Sequence, residues 1–314
     1  MSVYNGEQYL QEAIESILNQ TFSDFEFLVI DDASTDSTPQ ILESYHDPRI
    51  RVIRNHENLG LTTSLNKGLA LARGEYIARM DADDISLPER FDKQVAFLDN
   101  HPEIALIGTA KQVIDQRGGI LGTYIPPLKP QYRDFLKTNP ITHGSVVVRR
   151  KILDAYSGYN ELFRKSQDYA LWLQMAKEQK LHNIQDVLYM FRTHGKSVSK
   201  TGDESIFYHI LAIRIAESSI SKAVIEEIQK SGIRCLSRHF TRSEWVYYHY
   251  SIAGHYRFCG DLKGARQEYW KIFYLEPWSV LNIVNLIRVY LGERVIDATG
   301  RFYSFFKNHL HRSQ

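Results

Sequence analysis

The stretch Phe25–Ile30, reading FEFLVI, is an apolar run broken only by Glu26 near its start, and it stops on Asp31-Asp32. A run of that length without polar alternation suits a strand buried on both faces, which is what a sheet covered by helices on both sides provides. Tyr76–Met80 repeats the design, with Arg79 as its odd member, and it too ends in acids, at Asp81, Asp83 and Asp84. Helical stripes separate these strands. Leu10, Ala13, Ile14, Ile17 and Leu18 form one, and Leu61, Leu65, Gly68, Leu69 and Ala72 another. Ile50–Arg54 is a further short strand. Alternating strands and helices argue for an α/β fold with a mostly parallel sheet flanked by helices.

In such sheets ligands sit beyond the carboxyl ends of the strands. Two acid clusters at that edge therefore point to a charged ligand. Three carboxylates in the four positions 81–84 repel one another unless a cation lies among them, and hard oxygen donors suit Mg²⁺ or Mn²⁺ shared with phosphates. A solvated turn whose aspartates cap the backbone is the plainer alternative. Ser86-Leu87-Pro88-Glu89 has the form of a helix start, with Ser86 as N-cap and Glu89 three residues on, opening a helix over 88–100. Asp84 is expected to serve this turn and helix.

Beyond Ile104 the alternation becomes irregular. Residues 104–108, 111–115, 121–124, 144–148 and 188–192 read as strands, with Gly118-Gly119 as a turn, and Tyr169–Glu178 reads as a helix opened by Asp168. From about residue 203 the pattern is helical. Residues 206–228 form a stripe with few breaks. Residues 244–274 form a hairpin of two helices about Gly260-Asp261, and 280–314 a basic, aromatic, amphipathic segment suited either to a membrane surface or to packing on the rest of the chain. The expected division is thus 1–202 and 203–314.

The formal net charge of +1 offers no field for nucleic acid, and Cys235 and Cys259 alone make neither a disulfide framework nor a zinc site. With no secretory leader and no apolar run of about 18 residues, the expected location is cytoplasmic, at most peripheral at the inner face of a membrane.

Several separated motifs, in order, carry a resemblance: Tyr4-Asn5-Gly6-Glu7, Ser16–Thr21, Val29–Asp36, Asn58-Leu59-Gly60-Leu61, Asn66-Lys67-Gly68 and Gly74–Asp84. To about residue 200 the chain resembles the family 2 glycosyltransferases of GT-A fold, in particular bacterial enzymes of capsular, exopolysaccharide and lipopolysaccharide assembly. The resemblance implies a metal-dependent, inverting transfer from a nucleotide-sugar, commonly a UDP-sugar, to a saccharide or lipid-linked acceptor. It implies that Tyr4 and Asp32 bracket the base, that Ser2, Asn58 and Lys67 line the nucleotide, and that Asp81-Ala82-Asp83 is the DXD motif. Asp81 then contacts the ribose, and Asp83 binds a divalent metal, Mn or Mg. Asp168 falls at the catalytic base, and Arg192-Thr193-His194 at a loop that closes on the diphosphate, with His194 as a possible metal ligand. His143 is a candidate for the acceptor side.

The sequence departs from the family pattern in two places. The first strand is expected to be truncated, as from a start site placed too late, and Gln167 stands where an acid often precedes the base. A non-catalytic nucleotide-sugar-binding or scaffold subunit is the competing reading. A nucleotidyltransferase would want a Gly-rich phosphate loop with a nearby Lys or Arg, and a glycosidase would use its two carboxylates without metal or nucleotide.

Overall fold

The computed structural model describes residues 1–194, 204–258 and 260–291. The chain divides into two compact units, Met1–Ile220 and Ser221–Gln314. In the first, the elements run β1 (Ser2–Val3), α1 (Leu10–Leu18), β2 (Phe27–Asp31), α2 (Thr38–Glu43), β3 (Ile50–Arg54), α3 (Leu61–Leu71), β4 (Tyr76–Ala78), β5 (Ile85–Ser86), α4 (Arg90–Asn100), β6 (Ile104–Ile114), β7 (Ile120–Tyr124), α5 (Tyr132–Phe135), β8 (Val147–Arg149), α6 (Arg150–Ala155), α7 (Gln167–Met175), β9 (Lys180–Arg192) and α8 (Glu204–Ala216).

The α/β expectation holds. Parallel pairing joins β1, β2 and β3 in one sheet, and β6 to β9 in a second sheet of order β4-β8-β6-β9-β5, with β7 also on β6. The remaining pairs of the second sheet are antiparallel. β2 is buried along most of its length, as its unbroken apolar run requires. Val29 packs with Leu10, Ile14 and Ile17 of α1, all at 1 % exposure or less, while Ile30 on the opposite face lies against Gly68 of α3. Each such side chain contributes roughly 1.5–3 kcal/mol on burial. β1 is confined to Ser2–Val3, and a cavity of about 1020 Å³ lies between the sheets, lined by Phe27 and Ile30, Leu65 and Leu69, and Ile77 and Val148 among others. Its lining is apolar on most sides and includes none of Asp32, Asp83, Asp168 or His194.

Local pattern and tertiary pairing disagree in several places. Ile104–Ile114 form one strand of 11 residues, not two, because β8 and β7 pair with successive halves of β6. β9 extends back to Lys180 along β6. Ser86 is not an N-cap. It lies in β5, opposite Tyr189 of β9, and its hydroxyl receives Arg90 Nε (2.7 Å) and Gln20 Nε2 (3.0 Å). Helix α4 therefore begins at Arg90, without a side-chain cap. The helical stretch from 206 breaks at Ser218 (φ 54°), and the boundary between units falls after Ile220, because α8 packs on α7 within the first unit.

The second unit holds α9 (Lys222–Ser231), α10 (Arg242–Phe258), α11 (Leu262–Leu275) and α12 (Val280–Leu291). The hairpin of α10 and α11 turns at Gly260 (φ 78°), and Val246, Ala253, Ala265, Tyr269, Ile272 and Val289 form the unit's core. α12 turns Asn282 and Asn285 inward and leaves Val280, Ile283, Ile287 and Tyr290 exposed. No helix among the described residues is long and apolar enough to cross a membrane. The expectations for Cys259 and positions 292–314 lie outside the described residues.

Candidate functional site

Each acid cluster sits on a turn that is bonded to fixed neighbours. The turn after β1 is locked to the turn after β2. Asn5 N donates to Ser34 Oγ (3.0 Å), Thr35 N to Asn5 Oδ1 (2.8 Å), and Gly6 N to Thr38 Oγ1 (2.9 Å). Asn5 and Ala33 both adopt positive φ, 52° and 62°, conformations that need such support. A Cβ on Gly6 would lie 2.6 Å from Val3 Cγ2, so any larger residue there must displace the buried Val3 side chain.

Asp32 is 2 % exposed. Its carboxylate accepts from Asn55 Nδ2 (2.7 Å), Leu59 N (2.9 Å) and Gly60 N (2.9 Å). Three of roughly four acceptor positions are thus filled. Asn55 also receives Lys67 Nζ (2.7 Å) at its Oδ1, so Asp32, Asn55 and Lys67 form a chain beside the 58–60 loop. Ser2 is buried in β1, the ring of Tyr4 is 50 % exposed, and Asn58 is exposed.

At the second cluster each acid has its own partner. Asp81 Oδ1 pairs with Arg79 Nη2 at 2.6 Å, which explains the odd arginine: its guanidinium is 5 % exposed and needs a counter-charge. Burial opposes ionisation of Asp81, but the Arg79 guanidinium outweighs it and holds the carboxyl below its usual value. Asp83, half-exposed, faces His194, with Oδ2 2.9 Å from Nε2. Burial and the Asp81 charge push Asp83 up, against His194. Asp84 is buried and accepts from Tyr189 Oη (2.7 Å) and Arg192 N (2.7 Å). It therefore ties the turn to β9, not to the helix that follows. Burial, with repulsion from Asp81 and Asp83, raises it well above the usual range. Arg192 Nε donates to Asp83 O (2.8 Å), and its guanidinium meets Glu12 and lies 4.6 Å from the Tyr9 ring centre.

Asp168 stands second in α7, after Ser166 in a left-handed conformation (φ 57°), so it is not the N-cap. It accepts from Asn139 Nδ2 at 2.9 Å. Burial raises its pKa, and Asp81 adds to the rise. His143 Nε2 lies 2.9 Å from Tyr159 Oη, and burial, reinforced by Arg79, lowers His143 to about 3. His143 is thus a neutral ring. Gly144 beside it is required by close approach: a Cβ there would run into the Tyr189 hydroxyl and lie 2.7 Å from Asp81 Oδ2.

Sequence reasoning missed Asn55, Asn139, Arg90 and Lys111. Arg90 is fully buried, with Nη1 3.1 Å from both Arg79 O and Gly144 O. Lys111 on β6 stacks over Phe191 at 4.3 Å. Burial lowers its pKa, while Asp84, Asp81 and Asp168 oppose the shift. An arginine directly before an apolar helix was a readable signal for Arg90. For the two asparagines there was none, since their partners are remote in sequence.

Among the described residues no group of three or more His, Cys, Asp or Glu gathers as a metal cage. Asp83 and His194 nonetheless fit a hard divalent ion of the kind that takes its other ligands from phosphates and water, because Asp83 is repelled by Asp81 and a cation would relieve that repulsion.

The family model described as Glycosyl transferase family 2 matches residues 1–157. EpsE of Bacillus subtilis, which carries a glycosyltransferase name, is 39 % identical over 198 residues, 61 % of this chain and 71 % of that protein. The UDP-Glc:alpha-D-GlcNAc-diphosphoundecaprenol beta-1,3-glucosyltransferase WfgD of Escherichia coli is 30 % identical over 184 residues, covering 59 % and 71 %. Among solved structures, S. aureus TarS in complex with UDP superposes with a TM-score of 0.59 at 17 % identity, covering 89 % of this chain and 91 % of that one, which speaks to the fold.

Proposed function

The chain belongs to glycosyl transferase family 2, and from that premise we propose that it moves a sugar from a UDP-sugar to a lipid-linked saccharide in surface polysaccharide assembly, with inversion. The carrying observation is the different footing of two carboxylates. Asp83 is half-exposed and faces His194, whereas Asp168 is partly buried, accepts from Asn139 and has its pKa raised by that burial. One suits a cation and a diphosphate, and the other suits taking a proton.

In this reading the base stacks on the exposed Tyr4 ring. The imide N–H takes the one acceptor position that Asp32 has left, and the loop 58–60 lines the nucleotide, with Lys67 behind it through Asn55. Asp81, fixed by Arg79, meets the ribose. Asp83 and His194 would hold a divalent metal, which when bound would neutralise charge on the departing diphosphate. Asp168 draws the proton from the acceptor hydroxyl as that oxygen bonds to the anomeric carbon; the bond from that carbon to the diphosphate oxygen breaks, and UDP leaves with the electron pair. One displacement inverts the centre. The donor and the lipid-linked acceptor are supported by the UDP bound to TarS and by the diphosphoundecaprenol in the name of WfgD. The outward apolar face of α12 is proposed to rest on a membrane surface.

Titration of UDP with and without Mn²⁺ tests the assignment. Mn²⁺ should tighten binding in the native chain and not in Asp83→Ala. Asp168→Asn should abolish transfer and keep UDP affinity. Binding indifferent to Mn²⁺ refutes the metal role, and loss of UDP binding in Asp168→Asn refutes the base role.

A further inference from the structure

Nine large hydrophobic side chains are exposed in the described part of the first unit, and six of them, Ile120, Leu121, Tyr124, Ile125, Leu128 and Leu136, fall within residues 120–136. Ile120 and Leu121 are 60 % and 61 % exposed, and Ile125 is 52 %. Clustering of this kind marks a contact surface more often than chance exposure does.

The surface is ordered. β7 pairs with β6 in register from Lys111↔Tyr124 to Ile114↔Ile120. The hairpin tip is pinned by Asp115, whose Oδ1 accepts from Arg117 N (2.7 Å) and Gly119 N (2.8 Å). The following loop is held down by Asn183 Nδ2 on Pro127 O (2.8 Å) and Gln185 Nε2 on Pro126 O (3.2 Å). Interleaved with the apolar residues are the exposed cations Arg117, Lys129, Arg133 and Lys137. Asp134, the one acid from 116 to 137, is engaged with Gln131 N at 2.9 Å.

We infer that the hairpin tip and the 120–137 segment form a docking surface for an anionic lipid bilayer. Apolar side chains enter the headgroup layer while the four cations meet its charge. A second copy of the chain suits the same edge poorly, since a two-fold interface would set these cations against themselves. The surface runs directly into Asn139, which holds Asp168, so a bilayer docked there brings a membrane-held acceptor to the base. The surface belongs to the first unit and α12 to the second. It needs neither donor nor acceptor, so its test is independent of the transfer reading.

The full chain is incubated with phosphatidylglycerol vesicles and, separately, with phosphatidylcholine vesicles, and hydrogen–deuterium exchange is read by peptide. Slowed exchange across 116–130 on phosphatidylglycerol and not on phosphatidylcholine is expected. Ile120→Asp with Leu121→Asp should lower partition into phosphatidylglycerol vesicles about tenfold or more, with UDP binding intact. Unchanged exchange in 116–130 overturns the inference even if the chain binds vesicles elsewhere. So does undiminished partition of the double variant, or a lipid-free dimer that the double variant dissolves.

Discussion

Arg90→Met should unseat the turn that carries Asp81, Asp83 and Asp84. The guanidinium is fully buried, its Nε is 2.7 Å from Ser86 Oγ, and its Nη1 bridges Arg79 O and Gly144 O at 3.1 Å each. Nη2 has no hydrogen-bond partner among the described residues, and the group stacks on Phe91 and Tyr189 at 4.6 and 5.5 Å. Methionine has similar length and keeps the ring contacts, so the loss isolates the polar bonds. Two buried carbonyls are left without donors, at about 1–3 kcal/mol each, for a total near 4 kcal/mol. The saved desolvation of the guanidinium offsets part of this, leaving about 3 kcal/mol. For a unit of some 200 residues that lowers Tm by roughly 10 °C. Urea unfolding and calorimetry measure both quantities. A loss under about 1 kcal/mol would show that the bridge between Arg79 and Gly144 is dispensable and that the packing of α4 holds the turn.

Transfer should fail on the acid side of neutrality at a pH above the usual carboxylate range, because Asp168 must be ionised to accept a proton and its pKa is raised by burial; a rate that stays flat down to about pH 4 would refute this. Asn139→Ala removes a hydrogen bond to the ionised carboxylate, worth about 1.5–3 kcal/mol, and should move that acid limb up by roughly one unit with UDP affinity unchanged. Asp84 and Asp168, both raised in the folded chain, cost stability once ionised, so unfolding free energy should fall as pH rises from about 4 through their folded values, and Asp84→Asn should flatten that fall. Asn55→Leu leaves Asp32 and Lys67 without their shared partner and should weaken UDP binding about tenfold while keeping its response to Mn²⁺.

The helices α1 and α3 and the buried strand β2 were legible because the pattern that specifies them is local: one apolar stripe or one apolar run, closed by turn residues. The acids at the ends of β2 and β4 were legible for the same reason. Ser86 misled because a serine three residues before a glutamate looks the same whether its hydroxyl caps a helix or is taken by Arg90 and Gln20. The two halves of β6 looked like two strands because different partners cover them.

The sequence by itself determined the strand-and-helix alternation, the two acid clusters and the family motifs, since these rest on neighbours within a few residues. Tertiary structure alone decided what each acid does. Asp32 meets Asn55, Asp83 meets His194 across 111 positions, Asp168 meets Asn139, and Arg192 reaches Glu12 from 180 residues away. A carboxylate's charge, exposure and proton affinity are set by what the fold brings within about 3 Å of it, and that distance has no counterpart in the order of residues along the chain.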